Sequence, residues 1–143
     1  MARAPLSANR GRAAKLLVGG LIGWHGALLV AIVVGALVGG VLGAVSAILG
    51  AAVTLVYYTV GQGVQVQFAD APPHVLRTVS VWSYVVRVAV LGLLLWVVIE
   101  WPSVLALLDT RGLFAGIVLG VLGWLVGLVL MHRKLRIPIF DEA

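Results

Sequence analysis

Arg87 is the residue whose chemistry most needs a partner. It lies in the apolar run VSVWSYVVRVAVLGLLLWVVI, Val79 to Ile99, ten residues beyond Arg77. Along a helix that is about 15 Å, close to the centre of a bilayer. A guanidinium at that depth costs roughly 2.5–3.5 kcal/mol on insertion scales and marks a functional site by default. No Asp or Glu lies inside any long apolar segment, and Glu100 is about 20 Å away along the same helix. At similar depth, counted from the segment ends, stand His25, Tyr57, Tyr58 and Trp124. Tyrosine hydroxyls, a neutral imidazole and an indole face can all solvate a guanidinium. The expectation is an intramembrane polar cluster of Arg87, His25 and Tyr57 or Tyr58. The alternative is that Arg87 snorkels toward the surface or meets a lipid phosphate, and the residues leave both open.

A second pattern is glycine. Gly116, Gly120, Gly123 and Gly127 recur at spacings of four, three and four and so share a helix face. Gly35, Gly39 and Gly43 repeat every four residues, and Gly19 and Gly23 make another such pair. In lipid, small residues at this spacing let helix backbones approach closely. The face at Gly116, Gly120, Gly123 and Gly127 serves either internal packing or docking of another membrane helix.

The remaining polar residues offer less. Gln62, Gln65 and Gln67 read as a polar helix end, and His74 and His132 are isolated. Without cysteine there is no thiolate site or disulfide. There is no paired-carboxylate site, no Ser-His-Asp constellation, no HExxH and no Walker loop. The expectation is a chain without catalytic, metal or cofactor sites.

The elements that carry these residues follow from composition. Hydrophobic residues make up 62% of the 143 and charged residues 10%, with a mean hydropathy of +1.15. Soluble domains carry about 25% charge, so this chain has too little to cover a water-facing surface and reads as an integral membrane protein. The apolar stretch after Lys15 is too long for a signal peptide, and further hydrophobic segments follow it. From Leu16 to about Gln65 a single helix would extend about 75 Å, more than twice the hydrocarbon thickness. It must reverse, and the glycine-rich stretch Gly35–Gly43 is the natural place.

The fold class expected is therefore all-α: a four-helix membrane bundle spanning about 16–37, 41–65, 79–99 and 112–131. A basic segment, 1–15, precedes it, and a tail, 132–143, follows. Pro72-Pro73 breaks the chain between the second and third spans, and Pro102–Leu108 is apolar but too short to cross. With four spans, Arg3, Arg10, Arg12, Lys15, Arg77, Arg133, Lys134 and Arg136 share one side, and Arg111 stands on the other with Glu100 and Asp109. That asymmetry puts both termini in the cytoplasm. It also accounts for the net charge of +5 without nucleic acid. Lipid is the first partner expected. In the tail, Pro138 and Phe140 suggest an extended cytoplasmic contact.

The layout resembles a known family. The basic start, the glycine-rich hairpin, the run GAVSAILGAAVTLVYYTVGQ, a third span opening with Ser-Tyr, and a glycine-rich fourth span followed by HRKLRIPIFDE are together similar to ATP synthase protein I in its actinobacterial form. The resemblance covers nearly the whole chain after Lys15 and rests on soft, hydropathy-shaped motifs. It implies a non-catalytic accessory of the F-type ATP synthase in the bacterial plasma membrane, aiding assembly of the proteolipid ring through glycine-rich helix faces. The family has also been proposed to supply divalent cations, so a small transporter or channel is the alternative. Cation passage calls for acidic or carbonyl-lined sites within the bilayer, whereas the one mid-membrane charge here is positive.

Overall fold

The structure is a computed structural model and describes residues 7–135. Arg3 and the tail from Arg136 onward, with its proposed contact, lie outside the described residues. The described chain is all-α: α1 (Ala8–Gln67), α2 (Pro73–Glu100), the short α3 (Pro102–Ala106) and α4 (Thr110–Lys134). Three of these, α1, α2 and α4, are long and apolar enough to cross a membrane. Large apolar side chains face outward over most of the surface, up to 82% exposed at Leu37 and 84% at Val41. A surface so apolar fits lipid rather than water.

α1 is two helical arms joined by a sharp reversal. The helical dihedrals fail at Gly39 (φ −141°, ψ 16°) and Gly40 (φ 59°, ψ −145°). The Gly40 conformation is open essentially to glycine alone, since a Cβ collides with the flanking peptide there. The arms, 8–38 and 41–67, then run antiparallel. Each is about 40 Å or more in length, enough to cross once.

Local sequence sets the other ends. The Ser7 hydroxyl caps α1 by accepting from Arg10 N. Pro73 opens α2 and Pro102 opens α3, where a missing N–H costs nothing. Asp109 caps α4, its Oδ2 accepting from Gly112 N, while its own N–H donates to the buried Ser46 hydroxyl at 2.8 Å. His132, Arg133 and Lys134 occupy the last turn of α4, where cations suit the helix dipole.

The packing is uneven. α4 lies in the cleft of the α1 hairpin, antiparallel to the first arm and parallel to the second. Gly127 meets Gly19, and Gly123 meets Gly23; on the other side Gly112 meets Gly43, and Gly116 meets Ala47. At each of these glycines a Cβ would overlap a backbone carbonyl oxygen. The hairpin and α4 therefore touch backbone to backbone, the mode of association that lipid favours.

Two indoles fill the space the glycines leave. Trp24 is 5% exposed and Trp124 fully buried. Trp24 Nε1 donates to Ala51 O at 3.0 Å across the hairpin, with Thr54 Oγ1 at 3.3 Å. Trp124 lies over Gly20, and Tyr58 stacks on it at 5.4 Å between ring centroids. By contrast, no described side chain of α2 is buried. Within the four-span all-α layout, three segments make the core and α2 flanks it.

Candidate functional site

The site is built where α2 touches the second arm of α1. Arg87 stands halfway along α2, and its side chain reaches across the seam rather than out to the membrane surface. Nη1 donates to Tyr57 O at 3.1 Å, and Nε donates to Ser83 O, one turn back on its own helix, also at 3.1 Å. The guanidinium carbon sits 4.6 Å from the centre of the Tyr57 ring. Two carbonyl dipoles and a ring face thus stabilise the cation without neutralising it.

Gly61 makes this possible. A Cβ there would overlap Arg87 Nη1, so the guanidinium rests against bare backbone. Gly61 lies one helical turn beyond Tyr57 and shares its face. It is one glycine among 18 and carries no motif of its own. The spacing to Tyr57 is the signal that was available.

Of the four residues expected to cluster, the structure joins Arg87, Tyr57 and Tyr58. Tyr57 meets Tyr58 edge to face at 5.3 Å, and Tyr58 carries the contact on to Trp124. His25 is not brought to Arg87. It is exposed, its Nδ1 lies 2.7 Å from Leu21 O, and its ring stands edge-on to Trp24. The cause is angular: Trp24 takes the inward position, and the next residue is turned about 100° away from it.

The glycine face of α4 is taken up by internal packing. Gly116, Gly120 and Gly127 are buried, and a Cβ at Gly123 would overlap Ala27 Cβ. The face docks the α1 hairpin of the same chain and is not open to a partner. Of the glutamines, Gln67 takes part through its backbone, its carbonyl accepting from Arg10 Nη2 at 3.2 Å. Among the described residues no group of three or more His, Cys, Asp or Glu is placed to hold a metal ion.

Beside Arg87 the seam opens into a groove of about 340 Å³, lined by Val60, Val64, Val79, Trp82, Ser83 and Arg87 among others. Its walls are apolar apart from Arg87, Ser83 and Thr78. The Ser83 hydroxyl is buried without a hydrogen-bond partner among the described residues. The one ion pair among those residues is far from it: Arg10 Nε to Asp70 Oδ2, 3.2 Å, at the end where α1 begins and its second arm stops.

Fold and site together define an α-helical membrane protein with a glycine-packed core and a flanking helix that carries an arginine halfway along its length. Set against known protein families, curated proteins and solved structures, the chain has no match.

Proposed function

We propose that the chain is a non-catalytic accessory protein of the F-type ATP synthase in the bacterial plasma membrane, binding helices of the membrane sector while the proteolipid ring assembles. The family resemblance of its sequence supplies the partner. The observation that carries a docking role is the uneven packing: α2 crosses the full apolar depth, buries no described side chain, and presents an apolar groove beside Arg87. The glycine face, for which internal packing and docking were both open, is occupied within the chain. On this reading the docking surface is α2 with the second arm of α1.

Against the transport alternative stands the core itself. Trp124 is fully buried, and backbones touch along α4 on both sides, so that interface is filled rather than channelled. The one cation at mid-depth repels the divalent ions that such a role requires.

The test is a gentle-detergent purification of the tagged protein from native membranes, with mass spectrometry of what accompanies it. Proteolipid subunits, free or in partial rings, are expected at levels well above those recovered with an unrelated polytopic control. Recovery of the protein alone, with proteolipid at control level, overturns the reading.

A further inference from the structure

We infer that the seam between α1 and α2 receives a membrane helix of another protein that carries a carboxylate near its middle, with the Arg87 guanidinium as the receptor. This rests on the reading of the chain as a partner-binding membrane protein, and it names the chemistry of the partner.

The charge argument comes first. A guanidinium has five N–H donors, and the hydrogen bonds of Arg87 to Ser83 O and Tyr57 O use two of them. Nη2 donates to no described residue. No Asp or Glu occurs in any span, and Glu100 lies about 20 Å along the helix. The positive charge is therefore uncompensated by the described chain. The side chain is only part-buried, so a carboxylate that reaches Nη2 forms a charge-assisted hydrogen bond and cancels the charge where water cannot.

Geometry decides between a protein carboxylate and a lipid phosphate. Phosphates lie about 15 Å or more from the bilayer centre, and an arginine reaches them by snorkelling outward. Arg87 is instead held across the seam by the Tyr57 carbonyl, by the Tyr57 ring and by the bare backbone at Gly61. To follow a phosphate it must leave all three. A carboxylate on a transmembrane helix is already at the right depth. It is itself costly there when isolated, so pairing relieves both partners.

The surroundings suit such a helix. The walls of the groove are chiefly valine and Trp82, fit for the apolar side chains that flank a buried acid. The other groove beside a cation, at Arg12, lies at the basic end of the molecule and not at mid-depth.

The experiment uses the full-length protein in phosphatidylcholine vesicles and a dansyl-labelled, membrane-spanning Leu–Ala peptide with one central Glu. A twin peptide with central Gln is the reference. Energy transfer from the tryptophans to dansyl reports binding. The Glu peptide is expected to bind roughly tenfold more tightly than its twin. Arg87→Gln abolishes that preference. Gly61→Ala, which keeps the charge but displaces the guanidinium from its seat, weakens it.

Equal binding of the two peptides, or a preference that survives in Arg87→Gln, overturns the inference. So does a preference that vanishes when phosphatidylglycerol is added, because the occupant is then a lipid phosphate. Far-ultraviolet circular dichroism of both variants separates a lost site from a lost fold. If the preference is absent while proteolipid still co-purifies with the protein, the accessory role stands and the Arg87 receptor falls. If the preference is present and proteolipid does not co-purify, the reverse holds.

Discussion

Gly23 and Gly123 face each other across the interface between α1 and α4 with no side chain between them: a Cβ on Gly123 would come within 2.6 Å of the Gly23 carbonyl oxygen. The same relation repeats along both sides of α4, at Gly127 with Gly19 and at Gly116 with Ala47. Backbone cannot move aside as a flexible side chain can, so an added methyl has to drive the helices apart.

Gly116→Ala is accordingly expected to destabilise the protein by about 1–3 kcal/mol. Gly92→Ala, on the outer part of α2 with nothing within 4 Å of its Cβ position, is expected to change stability by less than about 0.5 kcal/mol. Reversible unfolding in detergent micelles measures both. Equal effects at the two sites would show that α4 does not seat against the α1 hairpin.

The two buried indoles are expected to answer differently to the same substitution. Trp24 Nε1 donates to Ala51 O, whereas Trp124 Nε1 is buried without a partner among the described residues. Trp24→Phe removes a made hydrogen bond and is expected to cost about 1 kcal/mol more than Trp124→Phe, which removes an unmade one. Trp124→Ala empties the space between Gly20 and Tyr58 and is expected to cost about 3–5 kcal/mol. The same unfolding assay ranks the three variants.

At the reversal of α1, strain and crowding separate. A Cβ on Gly40 meets nothing within 4 Å, yet its φ of 59° penalises any L side chain. Gly40→Ala is expected to cost about 1–3 kcal/mol through the backbone alone. Gly40→Asn gives no relief, because ψ is −145°, far from the left-handed helical region that asparagine tolerates. Unfolding of the two variants should place them within error of each other.

Arg10, Arg12, Lys15, Arg77, Arg133 and Lys134 lie at the end of the molecule opposite Gly40 and Asp109, and that end is expected to be cytoplasmic. The chain has no cysteine of its own, so single replacements report cleanly. In intact cells a membrane-impermeant maleimide should label Ala106→Cys, and Asn9→Cys only after permeabilisation. The opposite pattern would invert the orientation and place the basic end outside.

Much of the architecture was legible in residue order alone. Apolar length sets the crossings, since 1.5 Å per residue against a hydrocarbon layer of about 30 Å leaves little freedom. A block too long for one crossing has to turn, and the turn falls at Gly39–Gly40 inside the glycine-rich stretch. The want of a carboxylate for Arg87 is equally a property of the sequence.

Tertiary structure decided which faces meet. In a soluble helix the buried face is marked by apolar periodicity. Here lipid and core are both apolar, and the pattern carries no such mark. Depth along the membrane can be counted from a sequence, but direction around the helix cannot. Counted along the sequence, His25, Tyr57 and Arg87 come out at similar depth, yet in the structure Tyr57 meets Arg87 and His25 does not. For the same reason the glycine face of α4 could be read as open or closed, and only its seating in the α1 hairpin, backbone against backbone, closed it.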